Sequence, residues 1–206
     1  MYCMHKLQVF ILVVICFLVC RNVFAQDTIV LPHPIKAYVN FAGGINTCNG
    51  LGGVQVEYFV GKQVSVFGAG GIGTWGLKMG AGTRLYMYDH AGPALSVSYA
   101  TASGLQQLKL QDVQVINAQG IPEVRSVDLE LFRLHTINIS ILEMFPMGKK
   151  HNRFFLEAGY SIALQGKKDT NYRVLEPLIL SETTKQALRL LQPGGLMLSM
   201  GFSFPF

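Results

Sequence analysis

The sequence predicts an all-β protein: an eight-stranded antiparallel up-and-down transmembrane β-barrel. Three observations carry that expectation. Large apolar residues alternate with small or polar ones along most of the chain, and clusters of Gly, Asn, Asp and Pro interrupt the pattern. Most alternating segments run ten residues or longer, whereas strands of soluble proteins usually run about five or six and a tilted membrane-crossing strand needs about 9–11. The face opposite each apolar row consists of Gly, Ser, Ala and a few charges. It is too small and polar to form a conventional core, so it is expected to line a narrow lumen while the apolar face meets lipid.

The first 25 residues are set apart from the barrel. "MYCMHKLQVFILVVICFLVCRNVFA" has a start carrying Lys6, an apolar run from Leu7 to Cys20, and Val23-Phe24-Ala25 at its end. That is the pattern of a secretory signal peptide cleaved before Gln26. The run is short for a spanning helix, which requires about 20 residues. The division is therefore 1–25, signal peptide, and 26–206, barrel domain. Cleavage removes Cys3, Cys16 and Cys20 and leaves Cys48, so the mature chain can form no internal disulfide. It also removes Lys6 and Arg21 of the 17 Lys and Arg, leaving 15 against 12 acids. That balance gives no basis for nucleic-acid binding. The mature chain holds no further apolar run long enough for a helical span.

The eight strands are expected at 35–46, 51–60, 63–73, 76–88, 93–104, 126–145, 153–165 and 194–204. The first ends at the polar "TCNG". In the second, Val54, Val56, Tyr58 and Val60 oppose Gln55 and Glu57. The third carries "GAGGIG", formally a GxGxxG-like pattern; no helix follows to offer a phosphate its N-terminus, so these glycines read as space-makers for a narrow interior. In the fourth, Leu77, Met79, Ala81, Thr83, Leu85 and Met87 oppose Lys78, Gly80, Gly82, Arg84 and Tyr86. In the fifth, Leu95, Val97 and Tyr99 oppose Ala94, Ser96, Ser98 and Ala100.

The sixth segment is irregular. Ile137, Ile139 and Ile141 oppose Asn138 and Ser140, but "VDLELFRLH" brings Arg133 and His135 into phase with the isoleucines. A charge facing mid-bilayer lipid costs about 2–4 kcal/mol. A bulge near Thr136 or a long protruding strand is expected here. "LQQLKLQDVQV" also alternates, which suggests an outward hairpin turning at "NAQG". In the seventh, Phe154, Leu156, Ala158, Tyr160 and Ile162 oppose Glu157, Gly159 and Ser161. The eighth shows Leu196, Leu198, Met200, Phe202 and Phe204 on one face. The connections "VGKQ", "YDHAGP" and "MGKKHNR" are short, and the two long ones both fall in the alternate set. Membrane barrels place short turns on the periplasmic side and long loops outside.

The closing strand resembles the C-terminal signature of bacterial outer-membrane barrels, an alternating apolar strand ending in Phe, here with Pro205 before it. With "FAGGINTCNGLGGVQVEYFVGKQVSVFGAGGIG", nearly the whole mature chain resembles the small outer-membrane β-barrel (porin-like) family common in Bacteroidetes. The resemblance implies residence in the outer membrane of a Gram-negative bacterium, and recognition of the last strand by the barrel-assembly machinery.

Candidate functional residues follow from the faces. Glu57, Lys78, Arg84 and Glu157 all lie on the small-polar side. They are expected to form an ion-pair network filling the lumen, with Glu57–Arg84 as its first pair; the alternative is a gate lining a narrow pore. The last long loop is basic, through Lys167, Lys168, Arg173, Lys185 and Arg189, and would suit lipopolysaccharide phosphates outside the cell. Its "SETTKQALRLLQP" reads as a short helix capped by Ser181, with Ala187, Leu188 and Leu191 on one face, ended by Pro193. Cys48 reads as either a free thiol or a small buried hydrophobe.

A lipid-modifying enzyme would need His135 with Ser140 or Thr136, oriented by Asp128 or Glu130, but nothing resembles a GxSxG elbow. His33, His90 and His151 read as solvated. No metal site or cofactor is expected. The functional expectation is a structural or surface-binding outer-membrane protein whose partners are membrane lipid and lipopolysaccharide. Its alternatives are a narrow pore, a lipid-modifying enzyme, or a soluble periplasmic barrel with an apolar ligand inside.

Overall fold

The computed structural model describes residues 36–88, 91–116, 122–148, 151–165, 170–176 and 178–206. The expected signal segment, His33, His90, Lys167 and Lys168 lie outside the described residues. The chain forms β1 (Ala37–Ile45), β2 (Gly52–Phe59), β3 (Val64–Gly73), β4 (Gly76–Tyr88), β5 (Ala91–Ala102), β6 (Leu105–Ile116), β7 (Pro122–Leu131), β8 (Leu134–Met147), β9 (Asn152–Ala163), β10 (Tyr172–Val174), β11 (Ile179–Leu180), α1 (Glu182–Leu191) and β12 (Gly195–Pro205).

Eight of these strands close an antiparallel barrel in the order β1-β2-β3-β4-β5-β8-β9-β12, with β12 pairing back onto β1. Each barrel strand is hydrogen-bonded to the next one along the chain, so the topology is up-and-down. Pro205 ends the last strand opposite Tyr38, and the Phe206 amide still donates to the Ala37 carbonyl. The missing proline donor therefore costs the ladder little at this position.

Alternation decides which side chains go where. In β2, Gln55 and Glu57 are buried while Val54, Val56 and Tyr58 are exposed. In β4, Lys78, Arg84 and Tyr86 are buried while Leu77, Met79, Leu85 and Met87 are more than half exposed. The same holds in β5, β8 and β12, where Ser96, Ser98, Asn138, Ser140, Ser199 and Ser203 point inward. The barrel is thus apolar outside and polar inside over much of its length, while Phe59, Leu142, Met144 and Phe155 fill one end of the interior with apolar side chains.

The two long connections leave the same end of the barrel and build a second sheet there. β6 and β7, from the β5–β8 connection, form an antiparallel hairpin; β10 and β11, from the β9–β12 connection, add to its two edges in the order β10-β7-β6-β11. A hydrophobic cluster of Val115, Val127, Leu129, Leu131, Leu180 and α1's Leu188 lies beneath this cap. It is continuous with Trp75, Ala102 and Leu134 at the barrel's end.

The expected sixth strand is two elements. β7 belongs to the cap and β8 to the barrel, with a break at Phe132 and Arg133. Val127, Leu129 and Leu131 are buried on odd positions, and Leu134, Thr136 and Asn138 on even ones. Two residues outside the ladder shift the phase by one, as a change of core requires. Thr136 itself is regular, opposite Ala100 and Ala163, so the irregularity lies three to four residues before the expected bulge.

Candidate functional site

The lumen is organised around Glu57. Its Oε1 accepts from Ser65 Oγ at 2.5 Å and Tyr86 OH at 2.6 Å; its Oε2 accepts from Arg84 Nη1 at 2.8 Å and Asn40 Nδ2 at 3.4 Å. Arg84 Nη2 donates to Gln55 Oε1 at 3.3 Å and approaches Glu157 Oε2 at 4.0 Å, and the guanidinium stacks 4.5 Å from the Phe67 ring centroid. Glu157 also accepts from Ser140 Oγ at 2.6 Å. A buried charge is stable only when paired and hydrogen-bonded, and this group meets both conditions.

Three of the four expected network residues are therefore brought together: Glu57, Arg84 and Glu157. Lys78 joins none of these contacts. It faces the interior from β4, but six residues from Arg84 along a strand is roughly 20 Å, which puts it at the capped end. Asn40, Ser65 and Tyr86 complete the Glu57 shell, and sequence reasoning did not single them out. The inward phase that marks Glu57 marks them too, but cross-strand register, which decides contact, is not written in any one strand.

On either side of the network the interior is packed. Toward the end that carries Ala37 and Phe206, Tyr38, Phe59, Tyr86, Leu142, Met144 and Phe155 form a cluster, and the Arg153 guanidinium lies 4.0 Å from the Tyr38 ring centroid and donates to its hydroxyl. Toward the cap, the β1–β2 turn folds inward, so that Thr47, Cys48 and Asn49 are buried. Cys48 Sγ sits 3.0 Å from Ser98 Oγ and accepts from Asn138 Nδ2 at 3.3 Å. Gly71 makes the fold-in feasible: a Cβ there would collide with the Asn49 carbonyl oxygen. Cys48 is thus a buried group rather than an exposed thiol.

The remaining candidates are dispersed. His135 faces outward, stacked on Tyr99 with Nδ1 2.5 Å from the tyrosine hydroxyl, while Thr136 and Ser140 face the lumen. Asp128 and Glu130 lie in the cap, where Glu130 accepts from Arg173 Nε at 3.0 Å. The hypothetical catalytic set is not assembled. Among the basic loop residues, Arg173 is tied to Glu130 and Lys185 to Glu182 at 2.7 Å; Lys185 and Arg189 lie on α1. The helix begins as expected, with Ser181 Oγ accepting from the Thr184 amide, but only Leu188 of its expected apolar face is buried. Among the described residues no group of His, Cys, Asp and Glu could hold a metal ion.

No protein-family model matches this chain, and no curated protein or solved structure is detectably similar to it.

Proposed function

We propose that the protein is an outer-membrane β-barrel, closed to bulk diffusion, with a structural or surface-binding role exercised through its capped end. One observation carries this reading: the outward face is apolar all the way round. Phe41, Val56, Val66, Met79, Leu85, Val97, Ile139, Ile162, Leu198 and Met200, which together sample all eight barrel strands, are each 39–62 % exposed. A soluble protein of this size rarely leaves so continuous an apolar surface uncovered. A ten-residue strand such as β3, tilted by about 45°, rises roughly 24 Å, close to the ~25 Å apolar band of outer-membrane barrels. Aromatic residues collect toward both edges of the band. Tyr58, Tyr88, Phe145, Phe154 and Phe204 lie near the end carrying the last residue, and Tyr99 and Tyr160 near the capped end. Such girdles mark the two membrane–water interfaces.

The lumen argues against an open pore, because side chains of the Glu57 network, the aromatic cluster and the inward turn occupy it along its length. The cap argues for a surface role: it is a second sheet with its own core, more than closing a barrel needs. Its ion-paired Arg173 and Lys185 favour contact through shape over a diffuse basic patch.

Outer-membrane fractionation of the full chain, followed by gels with and without boiling in SDS, tests the reading. Recovery in the outer membrane with a heat-dependent mobility shift is the expected result. A soluble periplasmic protein with no shift overturns it.

A further inference from the structure

A cavity of about 270 Å³ opens where the β1–β2 turn, the β3–β4 turn and the last turn of α1 meet at the capped end of the barrel. Ile45, Leu51, Trp75, Leu190 and Leu191 supply the large apolar side chains of its wall. The rim is held shut on one side by Thr74 Oγ1, which donates to the Leu191 carbonyl at 2.6 Å, and by Asn46, which donates to the Leu196 carbonyl at 2.9 Å. Lys78 lines the cavity from inside the barrel and is only 4 % exposed. Among the described residues no carboxylate lies within ion-pair distance of it.

A lysine only 4 % exposed as a residue, with no carboxylate in ion-pair range, is costly to hold charged, and its place in the lining of an apolar cavity makes that cavity complementary to an anion carrying an apolar tail. The volume falls just below the roughly 300 Å³ at which small-molecule pockets begin, enough for a head group and the first carbons of one chain. The cavity's outer lip is apolar as well: Ile45 is 58 %, Leu51 56 % and Leu190 84 % exposed. A tail leaving the cavity there would lie along the barrel's outward face.

We infer that this cavity binds the carboxylate end of a single-chain fatty acid, with the Lys78 ammonium pairing the head group and the tail leaving over Ile45, Leu51 and Leu190. Only the exit of the tail into surrounding lipid rests on the outer-membrane reading; the site itself is built from the barrel wall, its turns and the end of α1.

The molecule carries its own reporter, because Trp75 is its only tryptophan and lines the cavity. The full chain in dodecyl maltoside micelles is titrated with 6,7-dibromododecanoic acid and, in parallel, with the corresponding dibromo alcohol, following Trp75 fluorescence. Saturable quenching by the acid is expected, with the alcohol at least tenfold weaker. Lys78→Met should weaken the acid at least tenfold, and Lys78→Arg should retain it. Quenching that rises without saturation, or is equal for acid and alcohol, overturns the proposal, as does an unchanged acid affinity in Lys78→Met. The acid–alcohol contrast is read on the unaltered protein and so stands even if Lys78→Met does not fold. Fractionation and heat-shift report the membrane reading separately: acid-selective quenching in a chain that fails those tests keeps the site and removes the lipid exit, and the converse removes the site alone.

Discussion

Glu57 takes four donors from three neighbouring strands, and only one of them, Arg84, is charged. That makes the pair asymmetric. Removing the carboxylate leaves a fully buried guanidinium with only Gln55 and a distant Glu157. Glu57→Gln should therefore lower stability by about 3–5 kcal/mol, the usual cost of breaking a buried ion pair. Replacing both partners with apolar residues, as in Glu57→Leu with Arg84→Met, should recover much of that loss. The temperature at which the folded gel band converts to the unfolded one measures both; a double variant as unstable as the single one contradicts the account. Gly71 sets a different test. Gly71→Ala places a methyl against the Asn49 carbonyl and should push the β1–β2 turn outward. Cys48, 7 % exposed in the native protein, should then react with a maleimide at least tenfold faster.

At the level of elements, the cap is a unit with a small core, anchored to the barrel largely through Trp75, which buries its ring in the cap cluster and donates from Nε1 to the Phe132 carbonyl at 2.9 Å. Leu188 is the one buried side chain of α1. Leu188→Ala should destabilise the cap by about 2–5 kcal/mol and free the helix, while the barrel persists. Limited proteolysis checks this: cleavage within 182–193 should accelerate while the heat-dependent mobility shift is retained. Loss of both together would mean that cap and barrel unfold as one cooperative unit. The β7–β8 break belongs to this scale too. Arg133 sits where the chain passes from the cap core to the barrel wall, and with His135 it is one of the two residues whose phase with the isoleucines made the segment irregular as sequence.

For the molecule as a whole, the apolar girdle is the feature with the largest consequence. If lipid surrounds it, Val97→Arg or Ile139→Arg should cost about 2–4 kcal/mol and reduce the amount of protein assembled in the outer membrane. If water surrounded it, the same exposed substitutions would fall within the small range usual for a surface. Quantifying the heat-shifted band from membrane fractions separates the two. The inward serine and glycine face adds a complementary expectation: Ser98→Arg, aimed into the packed lumen beside Cys48, should prevent closure altogether.

The number of barrel strands, their antiparallel order, the inward or outward direction of nearly every barrel residue and the common end from which both long connections leave were legible in the sequence alone. They depend on a period of two and on turn residues, and both are local. Glu57 and Arg84 could be named as partners because each lies on the polar face of a strand near its neighbour in order. What only the tertiary structure decided depends on register and on contacts between distant segments. Lys78 shares a face with Arg84 but stands at another height. Two separate connections build one cap sheet, one supplying its central hairpin and the other both of its edges. A turn folds back into the lumen over Gly71, and the end of α1 meets Trp75 to enclose a cavity. Alternation specifies a side chain's direction, but its partners depend on how far each strand has slid along the next, and that offset is set by packing around the whole closed barrel.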